Sequence, residues 1–128
     1  MAQAKASIGT TNFLVSLTAG HHHLSADEGG ELGGGDIGPA PYELLCAALG
    51  ACTAITVRMY AERKGWPLLA AHVDVHFRRE GKVGAIARVL SFEGELDDAQ
   101  RTRLADIAER TPVTLTLKQG LAITTTMA

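Results

Sequence analysis

The sequence predicts an α+β fold in which residues 1–128 form a single domain, and three observations carry this prediction. Short runs of alternating apolar and polar residues occur before residue 28 and again after residue 70, as in β-strands. Between them lies one long, almost wholly apolar helical segment, and two shorter helical segments come near the end. Because strands and helices occur in blocks, the order favours α+β over alternating α/β. A length of 128 residues suits one domain.

Composition excludes several classes of function. The net charge is −2 and both signs are scattered, so nothing resembles a surface for nucleic acid. No uninterrupted apolar run reaches the roughly 18 to 20 residues that span a bilayer, and no signal peptide is visible. We therefore expect a cytoplasmic protein with no nucleic-acid or membrane partner. Cys46 and Cys52 are too few for a disulfide scaffold, and on one helix they lie about 9 Å apart along the axis, beyond the roughly 7 Å limit for a disulfide.

The N-terminal third reads as a hairpin followed by a loop. Phe13, Val15 and Leu17 alternate with polar or opposite-facing residues, Ala19-Gly20 offers a turn, and residues 21–26 return as a second strand. The next segment, GGELGGGDIG at 29–38, holds six glycines in ten positions. Ordering so many glycines is entropically costly, so this segment is predicted to be a loop.

The central segment predicts a long buried helix. Pro41 suits the first helical position, and Gly65 suits the end. From Leu44 to Val57 hardly a polar side chain occurs, and a helix that is apolar all round must be covered all round. A chain of this size has few other elements that could pack against every face of the helix. We therefore expect a second subunit to supply part of it.

The C-terminal half predicts two strands and two helical segments. Residues 73–77 alternate, and the next strand carries Arg88 on one face with three apolar residues; the turn between them falls at 80–82 or 83–84. Asp97 and Gln100 form a capping box, after which the apolar stripe of the helix comprises Leu104, Ile107, Ala108 and Thr111. Pro112 starts a further helical turn with Leu115 facing inward, which closes near Gly120. Residues 122–125 read as a final strand.

Three segments resemble the OsmC/Ohr family over nearly the whole chain. They are GGGDIGPAPYELLCAALGACTAITVRMYA at 33–61, the GWPL turn within 64–75, and ELDDAQRTRLADIAERTPVTLTL at 95–117. The resemblance implies an intertwined homodimer with long central helices packed against antiparallel sheets and active sites at the subunit interface. It also implies reduction of organic hydroperoxides by two cysteines, with an N-terminal arginine and a glutamate that keep the first thiol ionised.

Two of the three candidate site residues match the positions of that cysteine pair. Cys52 corresponds to the cysteine of the long helix, although a small apolar residue in a packed helix is the alternative reading. The family's cysteine-proline pair is Thr111-Pro112 here, and threonine cannot close a disulfide. Cys46 is predicted to be a small apolar residue packed in the core.

The charged partners of the family's thiol are changed as well. Glu43 resembles the glutamate, but it lies nine residues before Cys52 rather than ten, a position that Tyr42 fills. Glu43 is therefore either a site residue acting through an intermediary or a carboxylate that stabilises the helix start. No arginine occurs before Arg58, and Lys5 lacks the bidentate fork of arginine.

Three functions follow from these residues. The first is a weak or one-cysteine hydroperoxide reductase, restored by an external thiol reductant. The second is a non-catalytic dimer that binds a small apolar or thiol-containing ligand at the subunit interface. The third is a metal site formed by His21, His23 and Asp27, since two imidazoles and a carboxylate can hold zinc. The main hypothesis includes no cofactor or metal.

Overall fold

The computed structural model describes residues 2–128 and confirms the α+β prediction. The elements within these residues are β1 (Ala4–Ile8), β2 (Val15–Ala19), β3 (His22–Ala26), α1 (Pro41–Lys64), β4 (Ala70–Glu80), β5 (Val83–Glu93), α2 (Asp98–Ala108) and α3 (Pro112–Gln119). The chain divides into two compact units, one ending at Leu45 and the other spanning Cys46–Ala128. Each is described by itself below, and the assignment of one domain stays a prediction.

The first unit contains an antiparallel sheet in the order β1-β2-β3. Ala4 pairs with Ala19, and Val15 pairs with Ala26, so β2 is the central strand. The turn between β2 and β3 contains Gly20 at φ 61°, a left-handed conformation that glycine adopts without a steric penalty. The hairpin predicted from the alternating residues is therefore present, with β1 added at its edge.

The glycine-rich loop of the first unit is organised around the buried carboxylate of Asp27. One oxygen of this carboxylate accepts the Glu28 backbone N–H at 2.8 Å. The other accepts the N–H groups of Gly35 at 3.2 Å and Ile37 at 3.3 Å. A short 3-10 turn, Gly30–Leu32, is the one piece of helix in this loop. The predicted loop is thus correct, and a single side chain satisfies backbone donors from both of its ends.

The second unit is built on the β4–β5 hairpin. The strands pair from Ala70 with Glu93 to Glu80 with Val83, so the turn lies at residues 81 and 82. Alternate residues of both strands are sheltered, as the sequence predicts. The middle of α1 lies close to β4, because a Cβ on Gly50 would lie 3.4 Å from the Val75 side chain. The small residue at position 50 permits this close approach.

The core of the second unit forms where α1, α2 and the hairpin meet. Its buried members are Val57, Ala61, Leu68, Leu96 and Leu104, with Tyr60, Trp66, Ala71 and Phe92 packed against them. The predicted capping box starts α2: the Asp97 carboxylate accepts the Gln100 N–H at 2.8 Å, and the Gln100 side chain accepts the Asp97 N–H at 2.9 Å. The cap directs the apolar stripe of α2 into this core.

Within one chain, α1 is covered along a single stripe. Its buried residues are Leu49, Thr53, Val57 and Ala61, which recur every four positions. On other faces Ile55 is 54% exposed and Met59 is 59% exposed. All-round burial of this helix, which the sequence predicts with the help of a second subunit, is not achieved by one chain.

By length and composition alone, α1 could cross a membrane, because its mean hydropathy over an 18-residue window is 1.6. The expectation that no segment of this chain is long and apolar enough is therefore wrong. It counted uninterrupted apolar residues, whereas a helix can span a bilayer with a few polar residues included. The core helix of a soluble protein satisfies the same criteria.

Two predictions for the C-terminus are also wrong. Leu115 is 49% exposed, and Thr114 faces inward instead, because the phase of α3 is set by its start at Pro112. Residues 122–125 form no strand, and Ile123 is 85% exposed. β-propensity requires a neighbouring strand with which to pair, and no strand among residues 2–128 pairs with this segment.

Candidate functional site

The second unit holds a sheltered arginine that the sequence reading assigned only to the inner face of its strand. Arg88 projects from β5, and its side chain is 12% exposed. Burying a guanidinium costs free energy unless its N–H groups find partners. Those partners are supplied by α1 and α3, so three separate elements converge on this charge.

Arg88 Nη1 donates to two threonine hydroxyls. It lies 3.0 Å from Thr53 Oγ1 on α1 and 2.9 Å from Thr114 Oγ1 on α3. Thr114 Oγ1 in turn lies 2.6 Å from Thr111 Oγ1, and all three threonines are buried. The candidate residue Thr111 is thus linked to α1 through Thr114, Arg88 and Thr53, which we call the Arg88 cluster.

Each hydroxyl of the Arg88 cluster also has a partner other than the arginine. Thr53 donates to the Leu49 carbonyl at 2.7 Å, one turn back along α1. Thr114 reaches the Ala108 carbonyl at 3.4 Å. When it donates there, the Thr111 hydroxyl donates to Thr114, and the single hydrogen of every hydroxyl is used.

The positive charge of Arg88 is only partly balanced. Its Nη2 lies 3.7 Å from Glu109 Oε2, which is longer than a hydrogen bond. The same carboxylate oxygen accepts from Lys118 Nζ at 3.1 Å, and the Glu109 side chain is 59% exposed. One largely solvated carboxylate therefore faces two cations.

Arg88 opens into a cavity of about 420 Å³ in the second unit. This is within the size range of small-molecule sites. The walls are mostly apolar. The lining residues are Leu49, Phe77, Gly84, Ala85, Ile86, Arg88, Thr114, Leu117 and Lys118.

Cys52 lies beside the Arg88 cluster along the chain but not within its hydrogen bonds. The thiol is free and half-buried, and the sulfur makes no hydrogen bond or ion pair with residues 2–128. The neighbouring residue, Thr53, carries the contact with Arg88. Cys46 is also free, and it lines a separate groove with Val73 and Val75. Thr111 is thus connected through Thr114 and Arg88 to Thr53, which adjoins the predicted thiol in the sequence.

Glu43 lies in the first unit and caps the start of α1. Its carboxylate accepts the Ala40 N–H at 2.9 Å, three residues back. This is one half of a capping box, and a carboxylate there also suits the positive end of the helix dipole. The geometry therefore agrees with the helix-stabilising alternative for this residue.

The histidines of the first unit do not converge on a metal site. The rings of His21 and His22 pack at 4.1 Å, and His23 contacts the Thr18 hydroxyl. The Asp27 carboxylate is occupied by backbone N–H groups of the glycine-rich loop. Among residues 2–128, no three His, Cys, Asp or Glu side chains are grouped to hold a metal ion.

Arg88 is a residue for which the sequence predicted a strand face but no role in a site. The signal was present, because Arg88 shares a strand face with Ile86, Leu90 and Phe92. A charged residue on an apolar strand face is rarely buried without partners. The partners themselves were not predictable, since Thr53 and Thr114 lie 35 and 26 positions away from Arg88.

Comparison with known proteins places these features in a family context. The family profile described as "OsmC-like protein" matches residues 33–126. No curated protein matches the chain.

Several solved structures share the fold. An OsmC-like protein of Mycoplasma pneumoniae is similar at a TM-score of 0.80 and 15% identity, covering 92% of this chain and 87% of that one. The organic hydroperoxide resistance protein OsmC of Legionella pneumophila is similar at 0.68 and 22% identity, covering 92% and 89%. A Vibrio cholerae protein described as an organic hydroperoxide resistance protein, with captopril bound in one of its active sites, is similar at 0.66 and 23% identity, covering 92% and 84%.

Proposed function

This chain belongs to the family of OsmC-like proteins, and from that premise we propose that it reduces organic hydroperoxides weakly, as a one-cysteine protein, rather than through a cysteine pair. Cys52 is the reacting thiol in this proposal. The organic hydroperoxide resistance proteins among its structural relatives support the substrate class. The changes in the chain's own residues support the one-cysteine form.

The observation that carries the proposal is the hydroxyl at position 111. Thr111 occupies the place of the second cysteine in the family motif, and its hydroxyl is buried and hydrogen-bonded to Thr114 at 2.6 Å. A hydroxyl cannot condense with a sulfenic acid to give a disulfide. Oxidised Cys52 would therefore persist until an external thiol reached it.

The proposed cycle has three balanced steps. The Cys52 thiolate attacks the terminal oxygen of ROOH; the O–O bond breaks, the alkoxide takes a proton to become ROH, and the sulfur becomes a sulfenic acid. An external thiol R′SH then attacks the sulfenic sulfur and releases water, leaving a mixed disulfide. A second R′SH displaces the protein thiol and forms R′SSR′. Two electrons pass from two external thiols to one peroxide.

The electrostatics explain why the proposed activity is weak. A buried thiol ionises readily only beside a positive charge. Arg88 directs its Nη1 to Thr53 and Thr114, and the Cys52 sulfur has no ion pair with residues 2–128. In this proposal Glu43 acts indirectly, by holding the start of the helix that carries Cys52.

Thiol titration tests the proposal. In buffer without added thiol, cumene hydroperoxide should consume one thiol per chain, and Cys52→Ser should abolish that consumption. Cys46→Ser is the matched control and should leave it intact. Loss of both thiols as a disulfide in the unaltered protein would contradict the one-cysteine scheme, and so would consumption that survives in Cys52→Ser.

Introducing the missing thiol gives a second readout of the same proposal. In Thr111→Cys, peroxide should generate a disulfide with Cys52, detectable by mass spectrometry after alkylation. Thr116→Cys, on the exposed side of α3, is the control that should form less. If neither variant forms the bond, the two positions do not face each other, and the correspondence of Thr111 with the second cysteine is wrong.

A non-catalytic binding protein is the second candidate function. The 420 Å³ apolar cavity beside Arg88 favours it, because such a cavity suits a small ligand without any thiol chemistry. The captopril bound by the Vibrio cholerae relative supports a small or thiol-containing ligand in a protein of this fold. Absence of any thiol consumption by peroxide would favour this function over the first.

Both functions are proposed for a homodimer in the cytoplasm. The exposed Ile55 and Met59 lie on a helix that one chain covers along one stripe only, so a second copy is the natural cover. Free thiols at positions 46 and 52 suit a reducing compartment. The molar mass in solution tests the dimer.

A further inference from the structure

The cavity beside Arg88 has a chemical character that is independent of Cys52. Its apolar walls come from Leu49 on α1, Phe77 and Ile86 on the hairpin, and Leu117 on α3. Its two charged lining residues are both cations, Arg88 and Lys118. Apolar walls with a few convergent polar groups are typical of a small-molecule site, and the groups present here select for negative charge.

Arg88 retains donors for a ligand. A guanidinium carries five N–H groups, and the two at Nη1 are directed to Thr53 and Thr114. Nη2 is engaged only by the Glu109 ion pair at 3.7 Å, and Nε has no hydrogen bond with residues 2–128. An Nε–H and an Nη2–H lie side by side on a guanidinium, and this edge matches the two oxygens of a carboxylate.

Charge balance favours a monoanion. Arg88, Lys118 and Glu109 carry two positive charges and one negative charge, so the group has a net charge of +1. Glu109 is shared with Lys118 and stands largely in solvent, where a carboxylate pair contributes little. One carboxylate would neutralise the group, whereas a dianionic phosphate would leave an excess negative charge.

We propose that this cavity binds a small apolar monocarboxylate, such as a short fatty acid or an aromatic acid. The carboxylate accepts from the free edge of Arg88, and the apolar body lies against Leu49, Phe77, Ile86 and Leu117. The threonines of the Arg88 cluster hold the guanidinium in place before the ligand arrives, which reduces the entropic cost of binding.

Calorimetry with sodium octanoate as the probe tests the site. Arg88→Met should weaken octanoate binding by about 10-fold to 100-fold, the value of a charge-assisted hydrogen bond. Arg78→Met removes the same charge from the exposed face of the same hairpin and should leave the affinity unchanged. Arg88→Lys keeps the charge without the fork, so it should recover only part of the affinity.

Two comparisons make the outcome decisive. Octanol, which has the same tail without the charge, should bind at least tenfold more weakly than octanoate, and octyl phosphate should not bind more tightly. Leu117→Trp places a larger side chain in the cavity without altering Arg88 and should abolish binding. Equal affinity for octanol and octanoate, tighter binding of octyl phosphate, unchanged affinity in Arg88→Met, or no binding by the unaltered protein would each overturn the proposal. None of these measurements depends on the reactivity of Cys52.

Discussion

Replacing Arg88 with methionine should scarcely change the stability of the protein, although it removes a sheltered charge with several contacts. The substitution retains an unbranched side chain of similar reach and deletes the guanidinium. Stability after such a change depends on whether polar groups are left without partners. The Arg88 cluster shows that they are not.

The magnitude follows from the hydrogen bonds of the three threonines. Without Arg88, Thr53 retains its hydrogen bond to the Leu49 carbonyl at 2.7 Å, and the Thr111 and Thr114 hydroxyls retain their mutual bond at 2.6 Å. The two bonds lost with Arg88 contribute roughly 1.5 to 3 kcal/mol each, because one partner is charged. The variant has no guanidinium to remove from water on folding, and the absence of this desolvation cost offsets the lost bonds by several kcal/mol. The expected net change in the free energy of unfolding is within about 1 kcal/mol.

Urea unfolding followed by far-ultraviolet circular dichroism measures this change. Leu104→Ala calibrates the scale: Leu104 is fully buried in the core, and its truncation should cost about 2 to 5 kcal/mol. If Arg88→Met destabilises the protein as much as Leu104→Ala, with an unchanged denaturant slope, the hydroxyls do not remain satisfied. The view that Arg88 serves a ligand rather than stability would then be refuted.

Two further results are expected. Light scattering should give a mass near 27 kDa, twice the 13.5 kDa of one chain, and Ile55→Glu or Met59→Glu should reduce it to 13.5 kDa; a monomeric unaltered protein would refute the dimer. The hydrogen bond from Arg103 to the Tyr60 hydroxyl lowers the pKa of Tyr60 below its ordinary value of 10.0, so tyrosinate absorbance should rise at a lower pH than in Arg103→Gln. Because the pKa of Tyr60 is lower in the folded state, its bond with Arg103 stabilises the fold above the ordinary pKa, and this stabilisation is lost as pH falls through the lowered pKa. Identical tyrosine titrations of the unaltered protein and Arg103→Gln would exclude the effect.

The fold was predictable where a local rule acts alone. The alternation of β4 and β5, the capping box at Asp97 and the proline start of α1 each depend on residues within a few positions, and all three are present. The predicted strand at 122–125 failed for the opposite reason. Its β-branched residues indicate a preference, but a strand exists only when another strand pairs with it.

The candidate site was predictable as a set of positions but not as an arrangement. The family motif pointed to Cys52 and Thr111, and the structure does link Thr111 to α1. The link runs through Thr53 and Arg88, residues that no motif singled out. A buried guanidinium is explained by its acceptors, and in this chain the acceptors come from elements far apart in sequence.

The carboxylate of Asp27 fixes the length of a segment whose composition alone would make it a pliable spacer. Adding or deleting a residue between positions 28 and 37 would move backbone donors away from the two oxygens they share. Side chains are excluded from parts of the same segment, since a Cβ on Gly34 would lie 2.0 Å from the Glu28 carbonyl oxygen. A longer or shorter segment, or a side chain at position 34, would therefore be expected to disturb the loop even though most of its residues are glycines.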